Sequence, residues 1–234
     1  AGTFSSLVWT EFLAKLGIEP DAVGGHSLGE LSAFYKAGAL TKEELLKFAE
    51  FRGQTMAASG KSNGAMASLG CSYSKAEEFV RRVKGNLVAA NINSPVQTVV
   101  SGDKSDIEKV IKEAKKEDIA GVLLPVSNAF HSSFMKESCA RIKSMKTLSR
   151  SFKPSKTSLY SCMDGKQLTG SVELNEYFSR QVISPVKFID LVESMSKKCD
   201  LLIEVGPGRV LADLVKAINK EKGPACLSVE STVG

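Results

Sequence analysis

Gly25-His26-Ser27-Leu28-Gly29 is the first stretch of this chain in which residue types and spacing could support covalent chemistry. It fits G-x-S-x-G, a pattern in which a sharp turn from strand to helix lifts a serine oxygen clear of a sheet. Flanking side chains would clash as such a turn closes, which explains the two glycines. The backbone N–H of Leu28, at the head of the helix, could then face an oxyanion with the helix dipole behind it. The same string also suits a small residue in a tight turn, and the string alone does not choose. A serine nucleophile needs a base within hydrogen-bond reach, and histidine is the usual one because its pKa lies near neutrality. The chain has two histidines, His26 and His131. Adjacent side chains diverge, so His26 points away from Ser27 and His131 is the candidate base. The plainer reading of His131, a core or capping histidine, stays open at this point.

The elements that would hold these residues can be read from periodicity. Leu7, Phe12, Leu13 and Leu16 predict a helix over residues 3–16, stopped by Gly17. "IEPDAVGG" reads as a short buried strand, and Leu28 to Ala37 as a helix ending at Gly38, so Ser27 falls where strand gives way to helix. Thr41 and Glu44 make a capping box that opens a helix running past Arg52. "AMASLG", "NLVAANI", "QTVVSG" and "GVLLPV" read as strands. Two helices lie among them, predicted to be capped by Ser74 with Glu77 and by Ser105 with Glu108. The resulting β-α-β-β-α-β order is that of a ferredoxin-like unit. It predicts a small subdomain over 64–126 inserted into a larger α/β body of residues 1–63 and 127–234. After His131 come a helix over 132–147, a strand "TSLYSC", and a turn at Asp164-Gly165. Then follow a helix opened by Ser184-Pro185, a strand leading to Gly206-Pro207-Gly208, a helix "VLADLVKAI" and a last strand "ACLSVE".

The bulk composition narrows the function classes. With 234 residues, 43% hydrophobic and 24% charged, the chain is ordinary for a globular protein with a sizeable core. No apolar run is long enough for a membrane span, and no signal-peptide pattern is present. The five cysteines are odd in number, scattered and without a CxxC pair, so neither a disulfide framework nor a metal site is expected, and a reducing cytoplasm fits. The net charge of +5 is spread over alternating signs, as in "KSDIEKVIKEAKKED", which predicts solvated helix faces rather than nucleic-acid binding. The opening "AGTFSSLVW" lacks an initiator Met and enters a helical pattern at once, which reads as an internal start.

In order and approximate spacing, "GHSLGE", "FRGQTM", "NSPVQTVVSG", "AFHSSFM", "RQVISPV" and "EVGPGRVL" resemble the malonyl-CoA:acyl carrier protein transacylases. The acyltransferase domains of polyketide and polyunsaturated fatty acid synthases share these motifs, which span residues 24 to about 211. The resemblance implies an α/β-hydrolase-like large subdomain with a parallel sheet and an inserted ferredoxin-like small one. It implies ping-pong transfer of a malonyl group from malonyl-CoA, through a malonyl ester on Ser27, to the phosphopantetheine thiol of an acyl carrier protein. No bound cofactor and no metal enter that chemistry.

By the same resemblance His131 is the base, and a backbone carbonyl near Gln181 orients it in place of a triad carboxylate. Leu28 supplies an oxyanion N–H. Arg52 grips the free carboxylate; by pattern alone, an arginine on such a helix would be a surface residue. Asn93 and Gln97 match polar residues near the active site, with a packing role as the alternative. Leu28, Asn128 and Phe130 bear on acyl selectivity. Ala129-Phe130-His131 resembles the malonyl-selecting version, although that version carries His where this chain has Asn128. The basic residues Lys136, Arg141, Lys143 and Lys146 could meet an acidic carrier protein or form an ordinary solvated face. The chain departs from the family at its start, where a glutamine-bearing strand and loop normally supply a second oxyanion donor. An amino-terminal segment is therefore expected to be missing. Two other readings stay open: a serine esterase or thioesterase on the same turn, and a degenerate acyltransferase domain used as a docking scaffold.

Overall fold

Short runs of small and β-branched residues alternate with stretches whose apolar positions recur every three or four residues, and the computed structural model resolves them into strands and helices. It describes residues 2–59, 63–126, 128–220 and 222–230. The order begins α1 (Gly2–Lys15), β1 (Ala22–Val23), α2 (Gly29–Lys36), α3 (Lys42–Ala58), β2 (Gly64–Leu69), α4 (Tyr73–Val83), β3 (Leu87–Ser94) and β4 (Gln97–Asp103). It continues with α5 (Lys104–Lys115), β5 (Gly121–Leu123), α6 (Lys136–Lys143), β6 (Ser151–Phe152), β7 (Ser158–Leu159), β8 (Val172–Glu173) and α7 (Leu174–Gln181). It closes with β9 (Val186–Lys187), α8 (Phe188–Ser196), β10 (Leu201–Glu204), α9 (Val210–Asn219) and β11 (Ala225–Ser228).

The chain divides into two compact units. The first holds Ala1–Glu50, Phe152–Ser171 and Phe188–Gly234. Its strands form two parallel pairs, β1 with β7 and β10 with β11. Residues of β1 and β10 both line a cavity of about 470 Å³ within this unit, among them Ala22, Val23, Leu201 and Ile203. The predicted inward face of α1 is only partly realised. Leu7 is buried, but Phe12 and Leu16 are 48% and 60% exposed, because the helix turns Ser6, Thr10 and Leu13 toward the cavity instead.

The second unit holds Phe51–Ser151 and Val172–Lys187. Its five-stranded sheet runs β5-β2-β4-β3-β9, and the first four strands are antiparallel in the expected ferredoxin-like arrangement. Helices α4 and α5 cover one face, burying Phe79, Ile107, Val110 and Ala114 against Leu69 and Val100. Outside, Glu117 takes Lys75 at 2.5 Å and Arg82 at 2.7 Å, and these hydrogen bonds hold its carboxyl below the usual range. The lysine-rich face pairs at i,i+3, in Asp106–Lys109 and Glu113–Lys116, rather than at i,i+4.

This compact unit is larger than the predicted 64–126. The end of α3 joins it because the Asn128 amide donates to the Met56 carbonyl at 2.7 Å and the Ser138 hydroxyl to the Thr55 carbonyl at 3.1 Å. β9 joins it by pairing in parallel with β3, Asn91 opposite Val186. Ser127, where the predicted boundary falls, lies outside the described residues.

Several local predictions shift. Thr41 and Glu44 do form the reciprocal capping box. Ser72, not Ser74, caps α4 by accepting the Lys75 N–H, and Asp103 precedes α5, leaving Ser105 inside it. Pro185 leads into β9 rather than a helix, since the following residues find a strand partner at the sheet edge. After His131 the chain makes a 3-10 turn (Ser133–Met135) before α6, which ends at Lys143.

Phe79 is fully buried between α4 and the sheet. Phe79→Ala should therefore cost about 3–5 kcal/mol, read as faster hydrogen exchange across β2 and β4 and a lower urea midpoint for this unit.

Candidate active site

In the first unit, parallel pairing of Val23 with Leu159 fixes where β1 ends. The chain then reverses within a few residues. Ser27 takes a left-handed conformation with φ of 51°, a region that a side-chain-bearing residue occupies only under constraint. Three short turns start α2: Gly29 N–H to His26 O at 2.9 Å, Glu30 N–H to Ser27 O at 3.2 Å, and Leu31 N–H to Leu28 O at 3.2 Å. These bonds use the N–H groups from Gly29 onward and leave that of Leu28 out. The two glycines are not equivalent. A Cβ on Gly25 would sit 2.3 Å from the Glu30 backbone nitrogen, whereas one on Gly29 would meet nothing within 4 Å. Only Gly25 is therefore demanded by sterics. The His26 ring packs edge-on against Phe188, with centroids 5.4 Å apart, in keeping with a packing role.

In the second unit a buried polar cluster forms around His131, which is 3% exposed and also left-handed, with φ of 55°. Its Nδ1 lies 2.9 Å from the Ser184 carbonyl oxygen and 3.2 Å from that of Gln181. Carbonyl oxygens only accept, so Nδ1 carries the proton and Nε2 keeps the lone pair a base needs. Both carbonyls lie at or just past the end of α7, where helix carbonyls lack intrahelical partners. The negative end of that helix dipole favours the imidazolium that forms when the base takes a proton. Gln181 is the expected partner; Ser184, the closer one, is not legible in the sequence because its contact depends on β9 pinning the following residues to β3.

Arg52 lies on the buried stripe of α3 with Leu45, Phe48, Thr55 and Met56, and is 5% exposed. Its Nη2 donates to Gln181 Oε1 at 3.3 Å. Gln181 thus accepts from Arg52 through its side chain and from His131 through its backbone. A buried guanidinium offers a planar, bidentate grip for a carboxylate.

The remaining predicted residues divide. Asn128 is buried and pinned to Met56, while Phe130 packs against the cluster of Met66, Ala90 and Val99 on the ferredoxin-like sheet. Asn93 donates to Gln97 Oε1 at 2.8 Å across the β3–β4 hairpin. Of the basic residues after His131, Lys143 is 3.0 Å from Glu176 and Arg141 lies over the Phe51 ring. Ser27 and Leu28 belong to the first unit, and the other predicted site residues to the second. Among the described residues no three His, Cys, Asp or Glu side chains are grouped to hold a metal ion, and no helix is long and apolar enough to cross a membrane.

The tautomer of His131 is open to direct measurement. 15N NMR of the ring should show a protonated Nδ1 and an unprotonated Nε2 at neutral pH; the reverse pattern would contradict the carbonyl contacts.

Residues 7–232 match the family model described as acyl transferase domain. The chain is 32% identical over 237 residues to the malonyl CoA-acyl carrier protein transacylase of Bacillus subtilis, covering 98% of this chain and 74% of that protein. It is 31% identical over 225 residues to a reducing polyketide synthase of Gibberella moniliformis, covering 89% of this chain and 9% of the synthase. Among solved structures, the malonyl CoA-acyl carrier protein transacylase of Clostridium perfringens superposes with a TM-score of 0.89 at 29% identity, covering 97% of this chain and 72% of that one.

Proposed function

The chain belongs to the acyl transferase domain family, and from that premise we propose that it transfers a malonyl group from malonyl-CoA to the phosphopantetheine thiol of an acyl carrier protein. The observation that carries this reading is the buried cluster of Arg52, Gln181 and His131, in which one residue contacts both a carboxylate-binding cation and the base. An esterase of neutral acids has no use for that cation.

In this reading Ser27 Oγ attacks the thioester carbonyl carbon and passes its proton to His131 Nε2. The tetrahedral oxyanion accepts the Leu28 N–H. Collapse breaks the carbon–sulfur bond, and the CoA thiolate takes the proton from the imidazolium. The carrier's thiol then gives its proton to His131 and attacks the malonyl ester; collapse breaks the bond from the carbonyl carbon to Ser27 Oγ, and Ser27 takes the proton back from the imidazolium. No carboxylate is needed behind the histidine, since two carbonyls hold its tautomer and the helix end favours its charge. Arg52 pairs with the free malonyl carboxylate throughout. Phe130 and Asn128 are assigned to acyl choice, where one methyl group is worth about 1–3 kcal/mol. A reducing, cytoplasmic setting suits the five free thiols.

Intact-mass analysis after exposure to malonyl-CoA should show one malonyl group, mapped to Ser27 and absent in Ser27→Ala. Label elsewhere would refute the mechanism. Arg52→Ala should slow malonyl loading about 10- to 100-fold, the worth of a charge-assisted pair, while acetyl loading changes little; equal loss for both would remove its carboxylate role.

A further inference from the structure

Glu30, in the first turn of α2, is fully buried, and its carboxyl group meets one residue twice. The Cys162 N–H donates to Oε1 at 2.8 Å, and the Cys162 thiol lies 3.2 Å from Oε2. Cys162 follows β7 much as Ser27 follows β1, and these two strands are hydrogen-bonded in parallel with Val23 opposite Leu159. The contact therefore ties together the exits of two neighbouring strands. On its other side the Gly29–Glu30 peptide rests against Gly25, where a Cβ would come within 2.3 Å of it. The Ser27 turn is thus held from below by Gly25 and from the side by Glu30.

Burying a carboxyl group is unfavourable unless its oxygens are hydrogen-bonded, and an aliphatic side chain would fill the space without that penalty. A carboxyl group placed three residues beyond a strained serine has a further consequence. It fixes the angle at which α2 leaves the strand, and with it the left-handed Ser27 and the N–H of Leu28. We propose that Glu30 is a positioning residue for the nucleophile, acting through its hydrogen bonds to Cys162 rather than on the substrate. The proposal rests on the reading of Ser27 as the acyl acceptor.

Single-turnover formation of the malonyl ester on Ser27, followed by intact mass over a range of malonyl-CoA concentrations, separates maximal rate from half-saturation. Glu30→Met keeps the volume and removes both acceptors. Its maximal rate should fall about 100-fold, the cost of a misplacement near 1 Å, with half-saturation unchanged. Glu30→Gln can still accept the Cys162 N–H and turn its amide toward the sulfur, so it should stay within about threefold of the parent. Hydrogen exchange over residues 26–31 should quicken in Glu30→Met while β3 and β4 keep their protection. Parent-like loading by Glu30→Met, or a loss in Glu30→Gln as large as in Glu30→Met, would overturn the proposal. Should Glu30→Met not fold, Glu30→Asp decides the same question by retracting the carboxyl group one methylene: slowed loading at unchanged half-saturation supports positioning, and the parent rate refutes it. Absence of label on Ser27 in the parent would instead defeat the nucleophile reading itself.

Discussion

The turn between β1 and α2 is the constraint on which the candidate chemistry depends. A parallel strand must give way to a helix over five residues, and the reversal works only because Gly25 lets the Gly29–Glu30 peptide close to 2.3 Å of where a Cβ would stand. Ser27 absorbs the reversal in a left-handed conformation. Such strain persists only where surroundings over-determine it. Here the strand pairing fixes one side of the turn, and the buried Glu30–Cys162 contact fixes the other.

The second unit solves a different problem, that of holding an imidazole without a carboxylate. Two carbonyl oxygens at the end of α7 fix its tautomer, and the helix end supplies a favourable field for its protonated form. The arrangement needs both ends of the Gln181–Val186 segment secured. α7 secures one, and β9, pairing with β3, secures the other. Because Gln181 also accepts from Arg52, the cation proposed to read the substrate and the base proposed to activate the serine share a single buried partner.

Much of this was legible in the chain itself. The ferredoxin-like order, the capping box at Thr41 and Glu44 and the strand-to-helix setting of Ser27 follow from periodicity and caps, and a count of histidines is what makes His131 the candidate base. Other features were not. Ser72 and Ser74 are both plausible caps, and only the structure shows that it is Ser72 that accepts the Lys75 N–H. Phe12 and Leu16 look like core residues yet lie exposed, because a helix of mixed composition can present more than one face. Gly25 and Gly29 look alike in the string, and only one is sterically required.

The residue types and their order along the chain determined by themselves two of the groups that could do chemistry, one serine in a turn and one available histidine, while Arg52 stood out only through the motif resemblance. Those two are local facts, set by side-chain chemistry and short-range backbone preference. Tertiary structure alone decided who holds them. The Ser184 carbonyl, the Cys162 N–H and the Gln181 side chain reach their partners across 53, 132 and 129 positions of sequence. No local pattern encodes such contacts, because a carbonyl oxygen or a backbone N–H is the same at every residue and acquires a role only from what the fold brings beside it.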